Sequence, residues 1–205
     1  LTGSYLFAGE DGVGKKLVAK TLAKALNCEG RALDSCDSCV PCLKIEKGQH
    51  PDIHIIDSPA SSDADPEGGR RTAREDSASI KIEHIRQLQK DINLKPYEGK
   101  QKVFIIDNAH NLTAEASNAL LKILEEPPPE SLIILLSAKP ALLFKTIISR
   151  CKMMKFYPLQ RTKLEEFLRK DFHLDNNLAH YLAYSCEGRI GRALKLKDID
   201  ILREK

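Results

Sequence analysis

A glycine-rich stretch near the start of the chain has residue types and spacing that could bind phosphate. Gly9, Gly12 and Gly14 precede Lys15 in the sequence GEDGVGKK at residues 9–16, which matches the G-x-x-x-x-G-K pattern of a phosphate-binding loop. Glycines let backbone N–H groups turn towards phosphate oxygens, and the start of a helix adds a favourable dipole. An ordinary glycine-rich turn is the plainer alternative. An apolar run before the stretch and a helical pattern after it favour the phosphate loop.

Three further positions bear on whether such a loop could hydrolyse ATP. Lys16 stands where a Ser or Thr hydroxyl would bind Mg²⁺, and an ammonium offers no oxygen ligand. Asp107 ends an apolar run, where a metal-orienting carboxylate is expected, although a strand-end Asp often only caps a turn. Asn108 follows, where a Glu would polarise the attacking water. ATP or ADP binding is therefore left open, and a loop that keeps its fold but binds nothing is an alternative.

Four cysteines have the spacing of a metal site. Cys28, Cys36, Cys39 and Cys42 follow the pattern C-x7-C-x2-C-x2-C, and four thiolates with no open position are typical of structural zinc. The alternatives are free thiols or a pair of disulfides. Disulfides fit poorly with the cytoplasmic location predicted below.

Composition excludes some classes of protein. The 205 residues are 42% hydrophobic and 30% charged, which is typical of a globular domain. The net charge of +3 is too small to indicate nucleic-acid binding by itself. No apolar run approaches the ~20 residues of a membrane span, and no secretory signal pattern is visible. The sequence therefore predicts a cytoplasmic protein with no membrane partner.

Strand and helix signals predict an α/β fold in two parts. Apolar strand-like runs alternate with helical patterns over residues 1–157, which predicts a parallel sheet flanked by helices. Only helical patterns follow, which predicts a small all-helical domain at 158–205. Within the first part we expect a zinc module at 28–42 and a mobile surface loop at 58–79, where polar residues predominate.

The order of these motifs resembles the AAA+ clamp-loader family. The phosphate loop and the strand ending in Asp107 are followed by a helix ending in LEEPP at 124–128, by Ser149-Arg150-Cys151 and by a helical lid. The cysteine insertion narrows the resemblance to the bacterial clamp-loader subunits of DNA polymerase III. Two kinds of subunit in this family differ at the catalytic positions that Lys16 and Asn108 occupy. The gamma/tau kind is the ATPase, whereas both positions are degraded in the delta-prime kind, which this chain resembles more.

The resemblance implies a role for Arg150 and a set of partners. In this family the Arg of Ser-Arg-Cys enters the ATP site of the neighbouring subunit as an arginine finger; a surface Arg in an ion pair is the alternative. The implied role is a stator that does not hydrolyse ATP, in a hetero-pentamer with gamma/tau and delta subunits that loads the sliding clamp onto primed DNA. Gly191 stands where the lid usually carries a nucleotide-sensing Arg. The chain is expected to be an excised piece without the family's collar domain.

Two rival functions remain. An active clamp-loader ATPase would have to tolerate Lys16 and Asn108 at the catalytic positions. A zinc module that reads nucleic acid would need basic and aromatic residues around the cysteines. That segment instead carries Glu29, Asp34 and Asp37, with no aromatic residue between positions 28 and 42.

Overall fold

The computed structural model describes residues 2–30, 34–57 and 79–203, with side chains up to residue 197. The strands are β1 (Gly3–Ala8), β2 (Ile53–Ile56), β3 (Lys102–Ile106), β4 (Ser131–Ser137) and β5 (Lys152–Lys155). The helices are α1 (Lys15–Asn27), α2 (Val40–Glu46), α3 (Ile82–Ile92), α4 (Ala114–Glu125), α5 (Lys145–Ile148), α6 (Arg161–Phe172), α7 (Asn176–Ser185) and α8 (Ile190–Arg203). The loop predicted at 58–79 lies outside the described residues, except for Ser79.

The five strands form one parallel sheet in the order β2-β3-β4-β1-β5. Every residue of β3 and β4 is buried, because helices cover both faces of the sheet and leave no polar side for these strands. The prediction of a parallel α/β sheet is confirmed. All the carboxyl ends of the strands therefore lie at one edge and all the amino ends at the other.

The second strand is less buried than its apolar sequence predicts. The sequence predicts a buried strand there, but β2 lies at the edge of the sheet, pairs with β3, and leaves Ile55 39% exposed. A run of apolar residues indicates a strand, whereas its burial depends on which neighbours it finds in the sheet.

Alternate residues of β3 build two separate cores. Val103 and Ile105 pack on one face with Ala19 and Ala23 of α1. Their neighbours along the strand face the opposite way and pack with apolar residues of α3 and α4. The start of α4 is capped by Thr113, whose side chain accepts a hydrogen bond from the N–H of Ala116. The sheet is thus held from both sides.

The last three long helices have a core of their own. Leu164 and Leu168 of α6, Leu182 of α7 and Ala193 of α8 are completely buried and belong to one apolar cluster. The domain boundary near residue 157 stays a prediction that this separate cluster supports. Across the described ranges, no helix is both long and apolar enough to cross a lipid bilayer.

Two buried polar side chains fix the loop before β3. The carboxylate of Asp52, which is fully buried, accepts hydrogen bonds from the N–H groups of Tyr97, Glu98 and Gly99 at 2.7–2.9 Å. The side-chain oxygen of Asn27 accepts from the next two N–H groups, at 2.8 and 3.0 Å. The loop is therefore tied both to the end of α1 and to the start of β2.

We expect Asp52→Ala to lower the free energy of unfolding by about 2–4 kcal/mol, because it takes the acceptor away from three partly buried backbone donors. Burial works against ionisation of Asp52, but the three N–H donors outweigh it and hold the pKa of this carboxyl below its usual range. Its contribution should therefore be complete above pH ~4 and be lost as the pH falls through the lowered pKa.

Urea unfolding at several pH values measures this effect. Asp171→Ala, at an exposed position of α6, is the matched control and should change stability by less than ~0.5 kcal/mol. Equal unfolding free energies for the two variants at pH 7 would contradict the role given to Asp52.

Candidate functional site

The predicted phosphate loop lies at the carboxyl edge of the sheet, between β1 and α1. The chain leaves β1 towards β2 on one side and leaves β4 towards β5 on the other, and ligands of open α/β sheets bind at such a switch point. Gly12 and Gly14 have φ angles of +81° and +99°, which side chains rarely adopt. Gly9 is required for a different reason, because a Cβ there would lie 2.4 Å from the carbonyl oxygen of Phe156.

Lys15 points back into its own loop. Its side chain is 8% exposed, and its Nζ donates to the carbonyl oxygens of Gly9 and Glu10 at 2.6 and 2.7 Å. Burial lowers the pKa of Lys15, although Asp11 and Asp107 oppose this effect. The loop therefore holds a lysine ammonium in the place where a phosphate group would need one.

Lys16 joins two carboxylates at the same edge. Its Nζ lies 3.1 Å from Oδ2 of Asp107 at the end of β3 and 3.2 Å from Oδ2 of Asp57 at the end of β2. Partial burial lowers the pKa of Lys16, but the hydrogen bonds to Asp107 and Asp57 outweigh it and raise the pKa above its usual value. The ammonium is charged at every physiological pH.

Asn108 completes this cluster. Its Nδ2 donates to Oδ1 of Asp57 at 3.2 Å, and its backbone N–H donates to Oδ1 of Asp107 at 2.9 Å. We name Lys16, Asp57, Asp107 and Asn108 the carboxylate cluster. Sequence reasoning singled out every member except Asp57. An acid at the end of an apolar run was the available signal, but its meaning depends on the pairing of β2 with β3.

The first residues of the helix α8 lie against the phosphate loop. The N–H of Gly191 donates to the carbonyl oxygen of Gly12 at 2.7 Å. A Cβ on Gly191 would lie 3.2 Å from that oxygen, so a side chain is poorly accommodated at the position where the resemblance implies a sensing Arg. Arg189 lies nearby, with Nη1 3.6 Å from a carboxylate oxygen of Glu10.

Arg150 lies far from the phosphate loop. It lies two residues before β5, and the parallel pairing of Tyr5 with Lys152 and of Ala8 with Lys155 places it at the amino edge of the sheet. The three steps along β5 alone separate the two edges by about 10 Å. The Arg150 Nε donates to Glu125 at 3.2 Å and its Nη1 to the carbonyl oxygen of Thr146 at 3.1 Å. Arg150 and the phosphate loop therefore belong to two separate sites.

The four predicted metal ligands come together. The sulfur atoms of Cys28, Cys36, Cys39 and Cys42 all lie within 4.8 Å of one another, which suits a tetrahedral ion with metal–sulfur bonds of about 2.3 Å. None of the chain's six cysteines, all within the described ranges, is in a disulfide. These four could therefore bind a metal ion.

The surroundings of the cysteines favour thiolate formation at one of them. Hydrogen bonds from the side chain and backbone of Ser38 and from Cys39 lower the pKa of the Cys36 thiol to about 5. Burial raises the pKa of Cys42 to about 12. Lys24 of α1 forms ion pairs with Asp37, between Cys36 and Cys39, and with Glu46 at the end of α2. We name the segment that carries the four cysteines and α2 the cysteine module. It is thus fastened to α1, the helix that follows the phosphate loop.

Comparisons with known proteins agree with this geometry. A family model described as DNA polymerase III, delta subunit matches residues 1–160. The chain belongs to this family. It is 37% identical over 168 residues to the DNA polymerase III subunit delta' of Bacillus subtilis, covering 82% of this chain and 46% of that protein. The resemblance to delta-prime clamp-loader subunits is therefore confirmed.

Subunits named tau and gamma are also similar to the chain. The DNA polymerase III subunit tau of Escherichia coli is 35% identical over 202 residues, covering 95% of this chain and 28% of that protein. The subunit gamma of Buchnera aphidicola from Acyrthosiphon pisum is 34% identical over 199 residues, covering 94% of this chain and 50% of that protein. The chain thus spans half or less of the length of these relatives.

Solved structures show the fold. A gamma subunit-related protein of Thermotoga maritima matches with a TM-score of 0.52 at 24% identity, covering 90% of this chain and 53% of that one. The RuvB Holliday junction branch migration motor of the same organism matches with a TM-score of 0.59 at 16% identity, covering 96% of this chain and 53% of that one. These neighbours are AAA+ proteins, and the predicted AAA+ fold is confirmed.

We expect the chain, purified without chelators, to carry one metal ion bound by the four cysteines. Cys39→Ser should lose most of this metal and unfold at lower temperature, because the site is left with three thiolates and binding energy also stabilises the fold. Elemental analysis and thermal unfolding measure both effects. The control Cys151→Ala, outside the cluster, should keep its metal. A parent protein that contains no metal would contradict the assignment.

Proposed function

We propose that this chain is a clamp-loader subunit of bacterial DNA polymerase III that does not hydrolyse ATP itself and supplies Arg150 to the ATP site of a neighbouring subunit. Its partners are the gamma/tau and delta subunits, assembled into a hetero-pentamer that loads the sliding clamp onto primed DNA during replication. The observation that carries the proposal is the position of Arg150 at the sheet edge opposite to the chain's own phosphate loop.

This separation leaves Arg150 no role at the chain's own site. The Arg150 side chain is 31% exposed, and its guanidinium donates to Glu125 and to the carbonyl of Thr146, so an adjoining protein could reach it. A planar guanidinium binds phosphate oxygens through two parallel hydrogen bonds and stabilises the charge that develops on a transferring phosphoryl group. The exchange of Glu125 for phosphate requires little energy, because an exposed ion pair is worth only ~0–1 kcal/mol.

The carboxylate cluster supports the loss of hydrolysis. Lys16 forms ion pairs with both strand-end carboxylates, so neither is available to a metal ion without first losing its partner. Asn108 donates its amide to Asp57, and a neutral amide cannot act as a base towards water. Two separate requirements of ATP hydrolysis are absent.

An active ATPase of the gamma/tau kind is the second candidate, and one observation favours it. The tau subunit of E. coli aligns with 95% of this chain at 35% identity, more of the chain than the delta' subunit of B. subtilis covers. We prefer the delta-prime assignment because Lys16 and Asn108 occupy catalytic positions and form hydrogen bonds that are incompatible with the ATPase chemistry.

The metal held by the cysteine module is zinc in this proposal. Four thiolates in a closed tetrahedron suit zinc, and their nearness supports a structural site with no open position for chemistry. The ion pairs of Lys24 with Asp37 and Glu46 direct the module's acidic groups towards α1. In this proposal the cysteine module stabilises α1, the helix that carries Lys15 and Lys16.

We expect Arg150→Ala to leave folding and assembly of the ring intact and to lower ATP turnover at the adjoining site by ~10³–10⁵-fold. Loading of clamps by the reconstituted complex should fall with it. Arg150→Lys should restore little, because an ammonium lacks the planar fork. The measurement is ATP turnover and clamp loading by complexes that differ in this subunit alone.

The matched control is Lys145→Ala, which removes another exposed cation, at the start of the short helix that precedes Arg150. It should load clamps at the parent rate. An Arg150→Ala complex that also loads at the parent rate would remove the main support for the finger.

We further expect the chain alone to show no ATP turnover above that of its Lys15→Ala variant, because Lys16 and Asn108 stand at the metal and water positions. A coupled phosphate-release assay measures this, with the assembled loader as positive control. Turnover that disappears in the Lys15→Ala variant would show that the chain is an ATPase.

A further inference from the structure

Phosphate loops of ATPases bind Mg²⁺ through a hydroxyl that follows the loop lysine and through strand-end carboxylates. The residues of this chain do not fit that ion. Lys16 replaces the hydroxyl, and its ammonium lies 3.1 Å from Asp107 and 3.2 Å from Asp57. A divalent ion placed between these carboxylates would meet a positive charge and would lack an oxygen ligand from the loop.

The two strand-end carboxylates already face positive charge. Asp57 and Asp107 both pair with Lys16, and Lys15 interacts electrostatically with Asp107. A lysine ammonium has three N–H donors, of which Lys16 uses two for these carboxylates. One donor is left, and the Lys16 side chain is 51% exposed, so it remains open to a ligand.

The rest of the loop keeps the features that bind phosphate. Within the described residues, the backbone N–H groups of residues 10–14 donate no hydrogen bond. Gly12 and Gly14 have the positive φ angles of a loop that can turn such groups inwards. No acidic residue lies in the first turn of α1, whose N-terminus favours an anion.

We propose that Lys16 is a built-in replacement for the divalent cation, so that this loop binds a nucleoside di- or triphosphate without metal. The proposal deepens the proposed function, because it concerns the same site that does not hydrolyse ATP. The ammonium supplies the counter-charge that Mg²⁺ would supply, and it stays fixed by Asp57 and Asp107. Nucleotide bound in this way lacks the ion that hydrolysis requires, so it acts as a structural ligand.

Binding of fluorescent ADP by the full chain, in EDTA and in MgCl₂, tests the proposal. We expect the dissociation constant of the parent to agree within threefold between the two conditions. Lys16→Thr removes the ammonium that pairs with Asp107 and Asp57 and restores a hydroxyl. It should therefore bind at least tenfold more weakly in EDTA and recover in MgCl₂. The matched control, Lys20→Thr, removes a lysine of the same helix that pairs with Glu46 instead, and should behave like the parent.

A second measurement does not depend on the variant's folding. Mn²⁺, titrated into the parent with ADP and followed by electron paramagnetic resonance, should give no protein-bound signal beyond that of Mn²⁺–ADP in solution. A parent that binds ADP at least tenfold more tightly in MgCl₂, that holds one Mn²⁺ lost in Asp107→Asn, or that binds no ADP in EDTA would overturn the proposal.

Failure here is distinguishable from failure of the proposed function. ADP binding that requires Mg²⁺ would remove the role of Lys16 and leave the effect of Arg150→Ala on the neighbouring site untouched. Conversely, metal-independent ADP binding would stand even if Arg150→Ala loaded clamps normally.

Discussion

The parallel pairing of β5 with β1 is the constraint on which the rest of the site depends. Because both strands run the same way, the loop that follows β1 and the turn that precedes β5 must lie at opposite edges of the sheet. One edge receives the phosphate loop and the carboxylate cluster, and the other receives Arg150. A single chain cannot bring the two together, so in the function proposed above Arg150 acts on a neighbouring subunit.

The polar interior keeps these edges in place. Asn27 and Asp52 fix the loop before β3, and β3 carries Asp107 at its other end. Lys24 fastens the cysteine module to α1, whose first turn carries Lys15 and Lys16. The contact of Gly191 with Gly12 holds the helical domain against the same loop through a backbone hydrogen bond. These contacts tie the loop before β3, the cysteine module and the helical domain to the elements that carry Lys15, Lys16 and Asp107.

Sequence reasoning predicted the central strands and the cysteine cluster because each rests on a local pattern. The apolar runs of β3 and β4 need helices on both faces, and the C-x2-C steps bring sulfurs together whatever surrounds them. It could not give the exposure of Ile55 or the part played by Asp57, since both follow from the place of β2 at the sheet edge. The ion pairs of Lys16 with the carboxylates that end two strands could not be predicted either, because the order of the strands in the sheet depends on the whole chain.

The most direct test of the central claim is the position of the Arg150 guanidinium in the assembled clamp loader. A high-resolution cryo-electron microscopy structure, determined with ADP and a fluoride analogue of the transferring phosphoryl group, would measure it. We expect Arg150 to have left Glu125 and to lie within hydrogen-bond distance, about 2.7–3.2 Å, of the analogue in the neighbouring subunit. If the analogue is bound there while Arg150 remains paired with Glu125 of its own chain, Arg150 is not the finger of that site.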